Sequence, residues 1–200
     1  MDTLSAIKER RSIKKYDANH QMTEEEIKTL MEYTLLSPTS FNMQNWRFLV
    51  VKDQETKDKL KGASFNQDQV SDASIVVLIC GDLKSWARDP QRYWRNAPEA
   101  VQQQIVPMIG GFYGKNEQLQ RDEAMRSAGI AGQTIMLAAK AMGYDTCPMI
   151  GFIPDKVAEI VNLPEDYVLG FMVVVGKAAE EAKQRSGQLA MDEVVFYDKF

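Results

Sequence analysis

The sequence predicts an α+β (mixed α/β) protein built on one central sheet flanked by helices. Three observations predict it. Thr23-Glu24-Glu25-Glu26 opens a helical stripe of Ile27, Leu30, Met31, Thr34 and Leu35, the i, i+3, i+4, i+7 spacing of one helix face. Three β-branched or aromatic runs, at 46–51, 73–80 and 167–175, are separated by helix-capable segments, a pattern that suits a sheet with helices packed on it. The run at 73–80 is apolar throughout, so both of its faces need covering.

In chain order, Asp2 or Thr3 caps a first helix carrying Leu4 and Ile7 and ending near Arg10. The capped helix after Thr23 stops before Ser37-Pro38, because the residue before a proline avoids the helical region. A polar loop at 39–45 leads into the strand at 46–51, and a short polar helix covers 55–61. Residues 84–126 are polar and Gln-rich, with scattered aromatics, and read as two loosely packed helices broken at Gly110-Gly111. A helix at 129–142 is rich in small residues and apolar on most sides, as a buried central helix is. Gly143 is its expected stop. A loop at 144–152, a short helix from Pro154, and the strand at 167–175 follow. Residues 178–184 are helix-capable, and a tail from Arg185 with alternating Val194, Val195, Phe196 and Tyr197 reads as an edge strand, on this chain or another. The expected organisation is one domain over residues 1–200 with a helical insertion at about 84–126.

Composition narrows the function. A net charge of −4 and a pI near 5.2 disfavour a nucleic-acid reader. One histidine and two cysteines without CxxC spacing leave no set of zinc ligands and no disulfide framework. No apolar run reaches the ~20 residues of a membrane span, and no signal-peptide core opens the chain. These readings lead to the expectation of a cytoplasmic protein without a membrane partner.

Against that acidic background, Arg10-Arg11-Ser12-Ile13-Lys14-Lys15-Tyr16 concentrates cations and a hydroxyl. Arginine forks and lysine point charges suit phosphate oxygens; the alternative is a solvated basic face. Lys183-Gln184-Arg185 forms a second basic group. Ser37-Pro38-Thr39-Ser40-Phe41-Asn42-Met43-Gln44 offers hydroxyls and amides but no strong acid or base. No GxGxxG, P-loop or GxSxG is present, and Cys147 without a nearby histidine reads as a packed thiol. Anion binding and neutral hydrogen bonding without a catalytic side chain suit a protein whose chemistry belongs to a bound phosphorylated cofactor.

Together these stretches resemble the nitroreductase family of FMN-dependent oxidoreductases over nearly the whole chain. Arg10 to Tyr16 resembles the family's RRSxKxF/Y motif. Residues 37–46 resemble its SPSSxNxQPW loop, residues 138–152 its AAxAxG…PxxGF region, and residues 167–176 its last core strand, with Lys183 and Arg185 at the closing basic pair. The resemblance implies a central, mainly antiparallel sheet, a C-terminal tail completing the partner's sheet, and a homodimer with FMN at the interface. It implies that Arg10, Ser12 and Arg185 hold the phosphate and ribityl end, that Arg11 and Lys183 also bind the cofactor, that Lys14 reaches the pyrimidine edge of the ring, and that Asn66 and Gln69 stand near the ring. Pro38, Thr39, Ser40 and Asn42 would come from the partner, and Pro148, Met149, Ile150 and Gly151 would line the ring. Phe41, Phe112 and Tyr113 are expected to shape the substrate pocket. NADH or NADPH would donate electrons by ping-pong hydride transfer through flavin N5 to a small-molecule acceptor, a nitroaromatic or quinone. Gln69 stands where some members have a second lysine, Ile150 where many have glutamate, Arg11 where some have histidine, and Asn45 where proline is usual. Alternative readings are a reductive dehalogenase, a flavin oxidase, a non-catalytic FMN carrier or sensor, and an anion-binding module without flavin.

Overall fold

The computed structural model describes residues 1–200. Its helices are α1 (Thr3–Glu9), α2 (Glu24–Thr34), α3 (Gln54–Ala63), α4 (Gln69–Asp72), α5 (Glu99–Tyr113), α6 (Glu117–Ala141), α7 (Pro154–Ile160) and α8 (Met191–Val194). Its strands are β1 (Trp46–Val51), β2 (Ile75–Asp82), β3 (Asp145–Met149) and β4 (Tyr167–Gly176). They form one sheet in the order β1-β2-β4-β3, with every neighbouring pair antiparallel.

β2 is buried along its whole length, and its period-two alternation feeds two cores. Val76, Leu78 and Cys80 join Met172 and Val174 of β4 against Leu60 of α3, Val70 of α4 and Val157 of α7. Ile75, Val77 and Ile79 join Val173 and Val175 against Leu30 of α2 and Ile135, Met136 and Ala139 of α6. An apolar run on a central strand is thus explained by helices on both faces. At Gly132 of α6, an added Cβ would stand 2.1 Å from the Phe171 ring, so the helix lies on the sheet at a distance only glycine permits.

Several expected elements differ. The segment at 144–152 is not all loop: Asp145–Met149 forms the edge strand β3. Pro148 is tolerated there because an edge strand leaves N–H positions without a ladder partner. Gly110-Gly111 does not break a helix; both lie inside α5, which stops at Gly114. The buried helix begins at Glu117, not Gly129. Residues 178–184 are not helical; Ala178 bridges Tyr16, and Lys177 and Ala179 bond the backbone of Asp17 and Lys15. The tail forms no strand with this chain's own sheet; it carries the single turn α8, and Phe196, Tyr197 and Phe200 are exposed.

Candidate functional site

The basic stretch starts where α1 ends. Arg10 caps the helix, and the chain then runs extended along the outer edge of β3, with Ser12 bridging Thr146 and the Ile13 N–H donating to the Thr146 carbonyl at 3.1 Å. Strand alternation buries Ile13 and Tyr16 in the core and turns Ser12, Lys14 and Lys15 outward. The Ala179 N–H donates to the Lys15 carbonyl at 3.0 Å, which draws the segment after β4 alongside. The Arg11 guanidinium then donates to the Lys183 carbonyl, and the Arg185 guanidinium to the Lys8 carbonyl at 3.2 Å.

These contacts assemble the two separate basic groups of the sequence into one cleft of about 360 Å³, lined by Arg10, Arg11, Ser12, Lys14, Lys183 and Arg185. Glu180 and Glu181 also line it. With Lys15 and Ser186, which also line it, three guanidiniums, three ammoniums and two hydroxyls form a donor set matched to a phosphate.

The residues expected around the flavin ring follow from Lys14 along β3 and the loop after it. Lys14 Nζ lies 3.4 Å from Cys147 Sγ, at the middle of β3. Pro148 and Met149 finish that strand, and Ile150 and Gly151 follow, with Ile150 80% exposed. The Gln69 amide donates to Gln67 Oε1 at 2.9 Å and lies 3.7 Å from Met149 Sδ. Gln67, absent from the sequence expectations, donates to the Gly151 carbonyl at 2.9 Å and so anchors the 150–151 loop. Asn66 adopts a left-handed φ of 56° beside it, a conformation asparagine tolerates better than most residues. Lys15 is held at 3.2 Å by Asp68, whose carboxyl is kept below its usual range chiefly by its hydrogen bond from Lys61.

The loop at 38–44 lies elsewhere. Trp46 pairs with Gly81, which pairs with Val168 at the start of β4, whereas Thr146 pairs with Val175 near its end. Seven residues of strand, roughly 23 Å, separate those rows. The loop is unusually constrained: Phe41, Asn42 and Gln44 have φ values of 51°, 52° and 45°, and backbone of this kind persists only where surroundings over-determine it. Here Thr39 Oγ1 accepts from the Gln44 N–H at 2.9 Å, Ser40 Oγ accepts from Tyr113 Oη at 2.9 Å, Asn42 Nδ2 donates to the Tyr93 carbonyl at 2.9 Å, and Trp94 Nε1 donates to the Phe41 carbonyl at 3.0 Å. Beneath it, the Asp82 side chain is only 1% exposed and receives Arg47 at 2.8 Å and Arg88 at 2.9 Å.

The three expected pocket aromatics divide. Phe41 stacks against Phe112 at 5.8 Å between centroids, and Phe112 is exposed. Tyr113 is 1% exposed, and burial raises its hydroxyl pKa; it supports the Ser40 loop from below and has no open face in the single chain. His20, the one histidine, belongs to neither cluster. It lies 3.3 Å from Tyr144 Oη, which donates to Glu26 at 2.7 Å.

The model of the Nitroreductase family matches residues 7–177. The chain belongs to the nitroreductase family. Its relatives include the Synechocystis protein DrgA, 52% identical over 93% of this chain and 90% of that protein. YodC of Bacillus subtilis, which carries the name NAD(P)H nitroreductase, is 34% identical over 96% and 97%. Among solved structures, a nitroreductase of Exiguobacterium sibiricum in complex with FMN superposes with a TM-score of 0.91, at 33% identity and over 98% of this chain and 97% of that one. In this nitroreductase-family chain, the basic stretch at 10–16 and the 38–44 loop thus stand at opposite ends of one sheet. No helix is long and apolar enough to cross a membrane.

Proposed function

We propose that this protein is an FMN-dependent NAD(P)H oxidoreductase that acts as a homodimer, each of two sites combining the basic cleft of one chain with the 38–44 loop of the other. The observation that carries this reading is the separation of the two halves within one chain. A cofactor seated on Arg10, Ser12 and Arg185 reaches along β3 to Pro148–Gly151, but not to a loop roughly 23 Å away along the strands. A second copy supplies that loop with no change in either half.

The donor set fits FMN. Arg10, Arg11, Ser12, Lys183 and Arg185 present a phosphate-binding cleft in an otherwise acidic chain. Lys14 stands between that cleft and the β3 edge, 3.4 Å from Cys147, where its ammonium favours negative charge on the pyrimidine edge of a flavin ring. Asn66, Gln69 and the 148–151 segment offer amides and backbone groups for the ring. When bound, FMN supplies two-electron transfer through N5, taken from NADH or NADPH and passed in ping-pong fashion to a nitroaromatic or quinone. The chain places, orients and excludes water, and needs no side-chain acid of its own. Phe41 and the exposed Phe112 form an apolar wall for a planar acceptor.

The test is the visible spectrum of the purified protein, followed by anaerobic addition of NADH and of NADPH. The proposal expects bound flavin that bleaches with a nicotinamide donor. Flavin that stays oxidised with both points to a carrier or sensor, and a protein that takes up no FMN contradicts the cofactor assignment.

A further inference from the structure

A second cleft, of about 480 Å³, lies beside the constrained loop, at the opposite end of the sheet from the basic cleft. Asn42, Gln44, Arg47, Arg92, Arg95 and Asn96 line it, together with Trp46 and Tyr93, and no acidic residue does. Three arginines on one wall of a chain with a net charge of −4 are not what a merely solvated face requires.

The arginines are held to different degrees. Arg47 is fixed, donating to the Gln44 and Trp46 carbonyls at 2.8 Å each and to Asp82 at 2.8 Å. Asp82 and Asp166 together balance Arg47 and Arg88, so the uncompensated charge of the cleft is that of Arg92 and Arg95. Arg92 is braced on its neighbour: its guanidinium donates to Tyr93 Oη at 2.9 Å and lies 4.9 Å from that ring's centroid, while Tyr93 Oη donates onward to the Ser85 carbonyl. Arg95 forms neither an ion pair nor a side-chain hydrogen bond and is exposed. The cleft therefore offers one pre-oriented guanidinium, one free guanidinium and the amides of Asn42, Gln44 and Asn96, a recognition set for phosphate oxygens.

Its position says which molecule brings the phosphate. Asn42 and Gln44 belong both to this cleft and to the loop assigned above to the partner's flavin. A molecule anchored here lies against the same loop that the proposed function sets beside the flavin. We propose that Arg92 and Arg95 bind the phosphate groups of the nicotinamide dinucleotide that reduces the flavin. This inference rests on the proposed function, because it takes the loop to border a flavin. The 2′-phosphate of NADPH and the diphosphate common to both donors share this chemistry, and their tests separate them.

The experiment uses the FMN-loaded enzyme and the variant Arg92→Gln/Arg95→Gln. Neither residue lines the FMN cleft, so flavin content and circular dichroism serve as the check on folding, with Arg95→Gln alone as a variant that breaks no intrachain contact. NADP⁺ and NAD⁺ are titrated calorimetrically into the oxidised enzyme, and the concentration dependence of flavin reduction by NADPH and NADH is measured anaerobically. Loss of charge-assisted contacts weakens binding about tenfold or more. Weakening for NADP⁺ and NADPH alone assigns the 2′-phosphate; weakening for both pairs assigns the diphosphate. In either case the salt dependence of binding is shallower in the variant than in wild type. Unchanged affinity for all four ligands in a variant that keeps its flavin overturns the inference. A wild-type enzyme that no nicotinamide reduces overturns the function itself, and that result is read before any variant is made.

Discussion

The basic cleft and the 38–44 loop hold their polar groups in different ways. In the cleft, Arg11 and Arg185 are tied to the Lys183 and Lys8 carbonyls, but Arg10 and Ser12 make no side-chain hydrogen bond and Lys14 makes one, to the Cys147 sulfur. In the loop, the polar side chains of Thr39, Ser40, Asn42 and Gln44 all have a partner within the chain. Thr39 and Ser40 use their oxygens to accept, from Gln44 and Tyr113, so each keeps its own O–H to donate outward. The difference teaches a division of labour. One half keeps Arg10, Ser12 and Lys14 available and adapts to a ligand. The other half is locked before anything binds, at the cost of three left-handed residues, and serves as a fixed wall.

Removing the support of the wall gives the largest expected effect. Asp82→Ala leaves Arg47 without its carboxylate at the foot of the loop, where Asn45 also accepts from the Asp82 N–H at 2.7 Å. Breaking such a pair costs roughly 3–5 kcal/mol when fully buried. Because Arg88 is half-exposed, about 3 kcal/mol is expected, read as a lower urea midpoint at unchanged slope. A loss below about 0.5 kcal/mol, typical of a surface change, would show that the loop is not anchored there.

Arg10→Ala acts on the open half. It is expected to leave stability nearly unchanged and to weaken FMN retention by about 1.5–3 kcal/mol, roughly ten- to hundredfold, measured by equilibrium dialysis of flavin. Equal retention in variant and wild type would remove Arg10 from the phosphate site. Tyr113→Phe sharpens the comparison from the locked side. The bond to Ser40 is lost at about 1 kcal/mol, and both half-reactions are expected to slow at unchanged flavin content, because donor and acceptor both lie against this loop. Unchanged half-reactions would show that the Tyr113 bond does not hold the wall.

The smallest effect concerns Glu26, whose hydrogen bonds from Thr23 and Tyr144 tie α2 to the turn before β3. Its pKa falls from 4.5 to about 2, first through the Thr23 backbone bond and then through Tyr144. A depressed carboxylate pKa stabilises the fold above the unfolded value and loses that contribution as pH drops through the folded one. Thermal melts should therefore show wild type losing stability between about pH 4.5 and 2 more steeply than Glu26→Gln. Parallel curves would contradict the link.

Much of the fold was legible because β2 and β4 are long and β-branched, and because the Thr23 capping box forms as read. The misses have physical causes. β3 is five residues, Asp-Thr-Cys-Pro-Met, and owes its strand to pairing with β4 and the Ser12 stretch rather than to its own propensity. The first turns of α6 bury Gln120, Ala124, Ser127 and Ala128, small or polar residues that carry no apolar stripe. A Cβ added at Gly110 or Gly111 would meet nothing within 4 Å, so no packing requires these glycines, and α5 keeps them as a local weakness without a break. For the site, the motif residues were readable, but their division between two ends of the sheet depends on strand order and register, which no local pattern encodes. The Arg92–Arg95 pair and Gln67 carried no motif and emerged only from the geometry.

The central claim is that each flavin needs two chains. Sedimentation velocity of the FMN-loaded protein over a dilution series, followed by protein and by flavin absorbance, tests it directly. The account predicts that flavin travels only with the dimer and is released as the dimer dissociates. A sedimenting monomer that keeps its flavin would contradict it.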